Sequence, residues 1–176
     1  MLYLRNKPIG IDKQISHLQE WLYDNLTSLG WTDYDCYGRA YLNKNPRDNK
    51  NNVFEISLNS KDYKEITFDD KHNATSFFYL KDNHVNELSE ATVVLIFSLN
   101  LKKLFNNSLD RRDEEAVMEI TSILHVNPPS FKLTKINRIT NDVYKDFTID
   151  AQDRDNMSEN FVCSFEMTVN YIHELC

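Results

Sequence analysis

ATVVLIFSLNL, residues 91–101, is the longest apolar stretch in the chain. Val93, Val94, Leu95, Ile96 and Phe97 follow one another with no polar break. A strand covered on one face alternates apolar and polar residues, so an unbroken run predicts a strand buried on both faces. The stretch is too short to cross a bilayer, which takes roughly 20 residues as a helix. Its β-branched and aromatic content favours a strand over a buried helix. A sheet with this strand at its centre is therefore the frame into which the other segments must fit.

The nearest partners in pattern lie on either side. Residues 161–171 alternate strictly: Phe161, Cys163, Phe165, Met167, Val169 and Tyr171 are predicted to face inward, and Val162, Ser164, Glu166, Thr168 and Asn170 mostly water. Upstream, TSFFYL (75–80) reads as a strand, and 53–58 and 63–68 as a hairpin around Asn59-Ser60-Lys61-Asp62. Residues 34–42 form another strand, with Tyr37, Arg39 and Tyr41 on one face and Cys36, Gly38, Ala40 and Leu42 on the other. Residues 131–139 alternate weakly, and Ile136 falls out of phase with Phe131 and Leu133. Two helices complete the frame. The first, 12–29, carries the stripe Ile11, Ile15, Leu18, Leu22, Leu26 and Leu29. Asp12 is a candidate cap, Gly30 a candidate left-handed stop, and Trp21 is expected to pack on the sheet. The second, 110–126, buries Val117, Ile120, Ile123 and Leu124, begins with Asp113, Glu114 and Glu115 and is stopped by Pro128-Pro129. Short helical turns are expected at 101–105 and 142–147, and polar loops at 43–52 and 150–160. The sum is an α+β fold, a mainly antiparallel sheet packed by two principal helices, in a single domain spanning 1–176.

At 176 residues the chain can bury a real core, and 41% hydrophobic residues set it apart from disordered chains. A formal charge of −7 argues against a dedicated nucleic-acid binder, which shows a basic face. The first ten residues lack the apolar core of a signal peptide. Cys36, Cys163 and Cys176 are odd in number and unevenly spaced, so they form neither a disulfide framework nor a zinc site and suit a reducing compartment. With three glycines, phosphate-cradling loops are nearly excluded.

No constellation of chemistry-bearing residues stands out. Asp69, Asp70, His72 and His84 could in principle hold a metal, but Asp-Asp-Lys-His is ordinary turn composition. In the acidic loop the calcium-ligand spacing falls on Gln152 and Arg154, or on Asp155 and Met157, without the glycine of an EF-hand. No nucleophile motif is present, and Cys163 reads as a small buried hydrophobe. Arg111 and Arg112 are expected to pair with their acidic neighbours. The Asn-x-Ser/Thr matches at Asn25, Asn73, Asn106 and Asn156 carry no weight without a secretion signal. No catalytic, cofactor or metal residues are assigned. The candidate interface is Tyr37, Tyr41, Phe77, Phe78 and Tyr79: three consecutive aromatics place at least one on each face of a strand. Beside Tyr37 or Tyr41, an outward aromatic would form a patch; alternatively, a helix over the second face would bury the run.

The order of the parts resembles a phage tail terminator, also called a tail-completion or neck protein. The likeness is carried by the opening helix IDKQISHLQEWLYDNL, the central ATVVLIFSLNL, the DVYKDF turn and the closing FVCSFEMTVNYI. Neck-ring proteins of short-tailed phages are similar in style. The resemblance implies helices against one antiparallel sheet and a non-catalytic, homomeric ring at the head–tail junction, with no cofactor. It also implies a place in the virion after assembly in the host cytoplasm, with other head–tail junction or tail-tube proteins as partners, and neither tight nucleic-acid binding nor a membrane. The alternatives are a non-viral α+β adaptor or small-ligand-binding domain, or an enzyme whose site is assembled from distant residues.

Overall fold

The computed structural model describes residues 1–44, 52–57, 63–65, 72–84, 89–106, 110–126, 131–145 and 160–171. In chain order the elements are β1 (Leu2–Tyr3), α1 (Ile11–Ser28), β2 (Tyr34–Arg39), β3 (Tyr41–Lys44), β4 (Asn52–Ser57), β5 (Tyr63–Glu65), β6 (Ala74–His84) and β7 (Ser89–Leu99). There follow α2 (Leu101–Leu104), α3 (Asp113–Val126), β8 (Phe131–Asn137), α4 (Thr140–Val143) and β9 (Phe161–Tyr171). The fold is α+β.

The apolar run lies in β7, an interior strand of a six-stranded sheet ordered β1-β2-β6-β7-β9-β8. It pairs antiparallel with β6 and with β9, Leu95 standing opposite Phe78 on one side and Phe165 on the other. Both faces are covered. Val93, Leu95 and Phe97 join a core with α1 and α3, while Val94 and Ile96 join a second, smaller core on the opposite face. Each such side chain contributes roughly 1.5–3 kcal/mol by leaving water, and this accounts for the missing polar alternation.

The sheet is mainly antiparallel, as expected, with parallel pairings at one edge that the sequence does not announce. β1 and β2 run parallel, and so do β2 and β6. Parallel neighbours need a crossover connection. The chain between β2 and β6 supplies one, and in it lies a separate three-stranded antiparallel sheet, β3-β4-β5. The expected hairpin is β4 and β5, with Ser57 opposite Tyr63.

Helix α1 buries Ile11, Ile15, Leu18, Leu22 and Leu26 as its spacing predicts, but Leu29 is exposed. Gly30 has φ +99, the left-handed value expected of a residue that ends a helix. Asp12 does not cap the helix. Gly10 holds that position, and Asp12 points from the first turn to arginines. Trp21 packs towards α3, not on the sheet: its indole N–H donates to the Ile123 carbonyl at 3.4 Å. In β9 the inward set is as predicted, but Val162 and Ser164 are buried too, because the opposite face has its own cover. Ile136 proves to be in phase. A bulge between Leu133 and Lys135 sets Leu133 opposite Met167 and Ile136 opposite Phe165.

The expected loops are shorter than the sequence suggests, since β3 and β4 reach into 43–52, and β6 and β7 into 82–90. Residues 45–51, 59–62, 69–71, 85–88 and 128–129, and all of 150–160 except Asn160, lie outside the described residues. The turn expected at 142–147 begins earlier, as α4, and residues 146 and 147 also lie outside.

Candidate interaction surface

Four of the five aromatics expected at an interface are buried within the monomer. Phe78 faces the core under α1 and α3, whereas Tyr37, Phe77 and Tyr79 belong to the second core with Val143 and Tyr144 from α4 and its following turn. Tyr37 also stacks on Tyr3, with ring centroids 4.6 Å apart. Tyr41 is partly exposed, but its ring lies under the Arg39 guanidinium at 4.7 Å. The outward aromatic patch is therefore absent: cover on the second face takes up the Phe77-Phe78-Tyr79 run.

The exposed apolar surface lies elsewhere, on the outer side of the helical layer. Two indoles fix the spacing of α1 and α3. Trp31, buried just after α1, donates from Nε1 to the Glu119 carboxylate at 2.6 Å, and Trp21 donates to Ile123. Between the helices runs a groove of about 690 Å³. One wall is Trp21, Asn25, Ser28 and Leu29; the other is Glu115, Met118, Glu119, Ser122, Ile123 and Val126. Met118 is 61% exposed, Val126 75%, Leu29 54% and Trp21 37%. Trp21 and Leu29 stand eight residues apart, as do Met118 and Val126, so each pair lies on one face of its helix. Each helix thus has a second apolar side besides the one it spends on the core. The sequence carries this signal only weakly: a core-directed reading assigns Leu29 to the α1 stripe and Trp21 to the sheet, and it has no place for Met118 or Val126.

The groove's charged lining residues are carboxylates. Glu115 pairs with Arg112. Burial pushes the Glu119 carboxyl above its ordinary value, the Trp31 N–H pulls the other way, and Glu115 adds a smaller push upward.

The remaining polar clusters are internally matched. Buried Asp12 is bound by Arg5 and by Arg39, whose second contact measures 3.0 Å, and both arginines reach the Tyr41 hydroxyl. Buried Asp35 accepts from the Tyr37 hydroxyl at 3.1 Å and lies 3.3 Å from His72 Nε2, while His72 Nδ1 is 3.0 Å from Asp33. His72 is thus held by Asp33 and Asp35. Asp69 and Asp70, its expected companions, lie outside the described residues, as does the His84 side chain. Among the described residues no group of His, Cys, Asp and Glu could hold a metal ion. Cys36 and Cys163 are free and buried. Burial raises the Cys36 thiol to about 11 and pushes Cys163 higher still, so neither forms a thiolate near neutral pH. Arg111 and Arg112 pair locally, with Asp113 and Glu115. Among the described residues no helix is long and apolar enough to cross a membrane. A scan of protein-family models finds no match to the chain, and no curated protein matches its sequence.

Proposed function

We propose that this chain is a non-catalytic structural protein of the head–tail junction of a tailed bacteriophage, a tail terminator or neck-ring protein that acts by assembling into a homomeric ring in the virion. The observation that carries the reading is the groove between α1 and α3. The inner faces of both helices already serve the core, so the outer apolar positions gain from burial only if another surface covers them. A ring subunit needs such a surface, whereas it needs no reacting group. The order of elements, which resembles tail-completion proteins, agrees with this, as does the pairing of the buried charges with one another. The partners are further copies of the chain and the adjoining junction or tail-tube proteins. Electron microscopy of virus particles tests the reading: symmetry-related copies of this chain should ring the neck or tail junction. Its absence from the particle, or its presence as a single copy, would overturn the proposal.

A further inference from the structure

The groove has a complement on the same molecule. Between β1 and α1 the chain runs Leu4-Arg5-Asn6-Lys7-Pro8-Ile9, and its two large apolar side chains point outward, Leu4 39% and Ile9 64% exposed. Arg5 and Lys7 are cations between them. Arg5 is partly engaged with Asp12 but keeps half its side chain in solvent, and Lys7 is exposed. The groove offers the converse: apolar Trp21, Leu29, Met118 and Val126, with Glu115 and Glu119 as its charged lining residues.

The two surfaces cannot meet within one molecule. The segment is pinned at both ends: Leu2 is paired with Cys36 at the sheet edge, and the Ile9 carbonyl accepts from the Asp12 N–H at the start of α1. Ile9 precedes α1, while the α1 wall of the groove begins at Trp21, about 18 Å further along the helix axis.

We infer that residues 4–9 of one copy dock in the α1/α3 groove of a second copy, Leu4 and Ile9 seated among the apolar side chains and Lys7 towards Glu115 and Glu119. The inference rests on the ring reading and supplies its contact. Because the two patches differ, the contact is head-to-tail: repeated, it closes into a ring when the rotation divides a full turn, and otherwise it runs on as a filament. The apolar anchors carry the affinity, and the charges set orientation and encounter rate.

The test uses two variants of the full chain, each with one surface disabled at an exposed position: Ile9→Asp for the segment and Met118→Glu for the groove. Sedimentation velocity up to millimolar protein reads association, with circular dichroism and melting temperature confirming that both variants fold. Wild type should form closed or open multimers, and each variant alone should associate about tenfold more weakly or worse. Mixed in equal amounts, the variants should form heterodimers and nothing larger, since each retains the surface that the other lacks. Lys7→Glu should weaken assembly, and raised salt should shrink that difference. A wild type monomeric at every concentration would overturn the inference, as would variants that assemble like wild type, or a mixture with no heterodimer. Multimers insensitive to both variants would defeat this contact and leave the ring standing. Absence of the chain from the particle would defeat the ring reading whatever the solution result.

Discussion

Gln19 is the side chain that fastens α1 to the edge of the sheet. Fully buried, its Nε2 donates to the carbonyls of Tyr3 in β1 and Cys36 in β2, both at 2.8 Å. Gln19→Leu keeps the volume but removes both donors. At about 1–3 kcal/mol for a buried polar group left without its partner, urea unfolding should show a loss of a few kcal/mol. The stripe of α1 leaves Gln19 unmarked, because a polar residue on a helix is ordinarily a solvated one. Only the arrival of β1 and β2 beneath it reveals the role. Asp12 departs from expectation for a related reason: local sequence favours a cap, but Arg5 and Arg39 supply a tertiary alternative. Glu119 yields a pH prediction. Its carboxyl is held above the ordinary value near 4.5, chiefly by burial. A raised pKa means the folded state binds the proton more tightly, so the contribution is full below the ordinary value and is lost as pH rises through the folded one. Glu119→Gln, which can still accept from Trp31, should therefore be the more stable protein at neutral pH. Denaturant midpoints of the dilute monomers should converge as pH falls below the carboxylate range; an advantage constant with pH would contradict the assignment.

Among the elements, β7 and β9 were legible because burial writes directly into their composition. β8 was not, since one extra residue breaks the period on which strand reading depends. Phe131, Lys132, Leu133, Lys135 and Ile136 alternate without fault once Thr134 is set aside, and the bulge falls there. The Thr134 hydroxyl donates to the Glu166 carbonyl at 2.9 Å, a bond tying the bulge to β9. Deleting Thr134 should thus be milder than truncating the core. Leu95→Ala, at a fully buried site in β7, should cost about 2–5 kcal/mol, and the deletion markedly less, by thermal or urea unfolding. A deletion as damaging as Leu95→Ala would mean that the bulge shapes the sheet edge beyond its register. The parallel placement of β2 was also hidden, because strand direction depends on how the crossover returns and not on the pattern within the strand.

For the whole molecule, the helical layer and the central sheet could be expected from the sequence, but the candidate surface could not. The aromatic run points to the sheet, whose second face has its own cover, while the groove's exposed apolar residues sit on the helices. The charge of −7 bears on the lumen of the proposed ring. Duplex affinity comes largely from neutralising phosphates, and Arg5, Arg39, Arg111, Arg112 and Arg138 all face carboxylates of their own chain. Random duplex DNA at physiological salt should show no submicromolar binding by fluorescence anisotropy; tight binding would contradict a wall past which DNA slides.

The sheet order has a further consequence, for biosynthesis. β9 follows every other described strand in sequence, yet it lies between β7 and β8 and hydrogen-bonds to both. A nascent chain that has not yet released residues 161–171 from the ribosome holds β7 with one long edge open, and β8 with no neighbour in the sheet. The most apolar of the described strands waits for one made much later, and until then its free edge is a surface for a chaperone to shield.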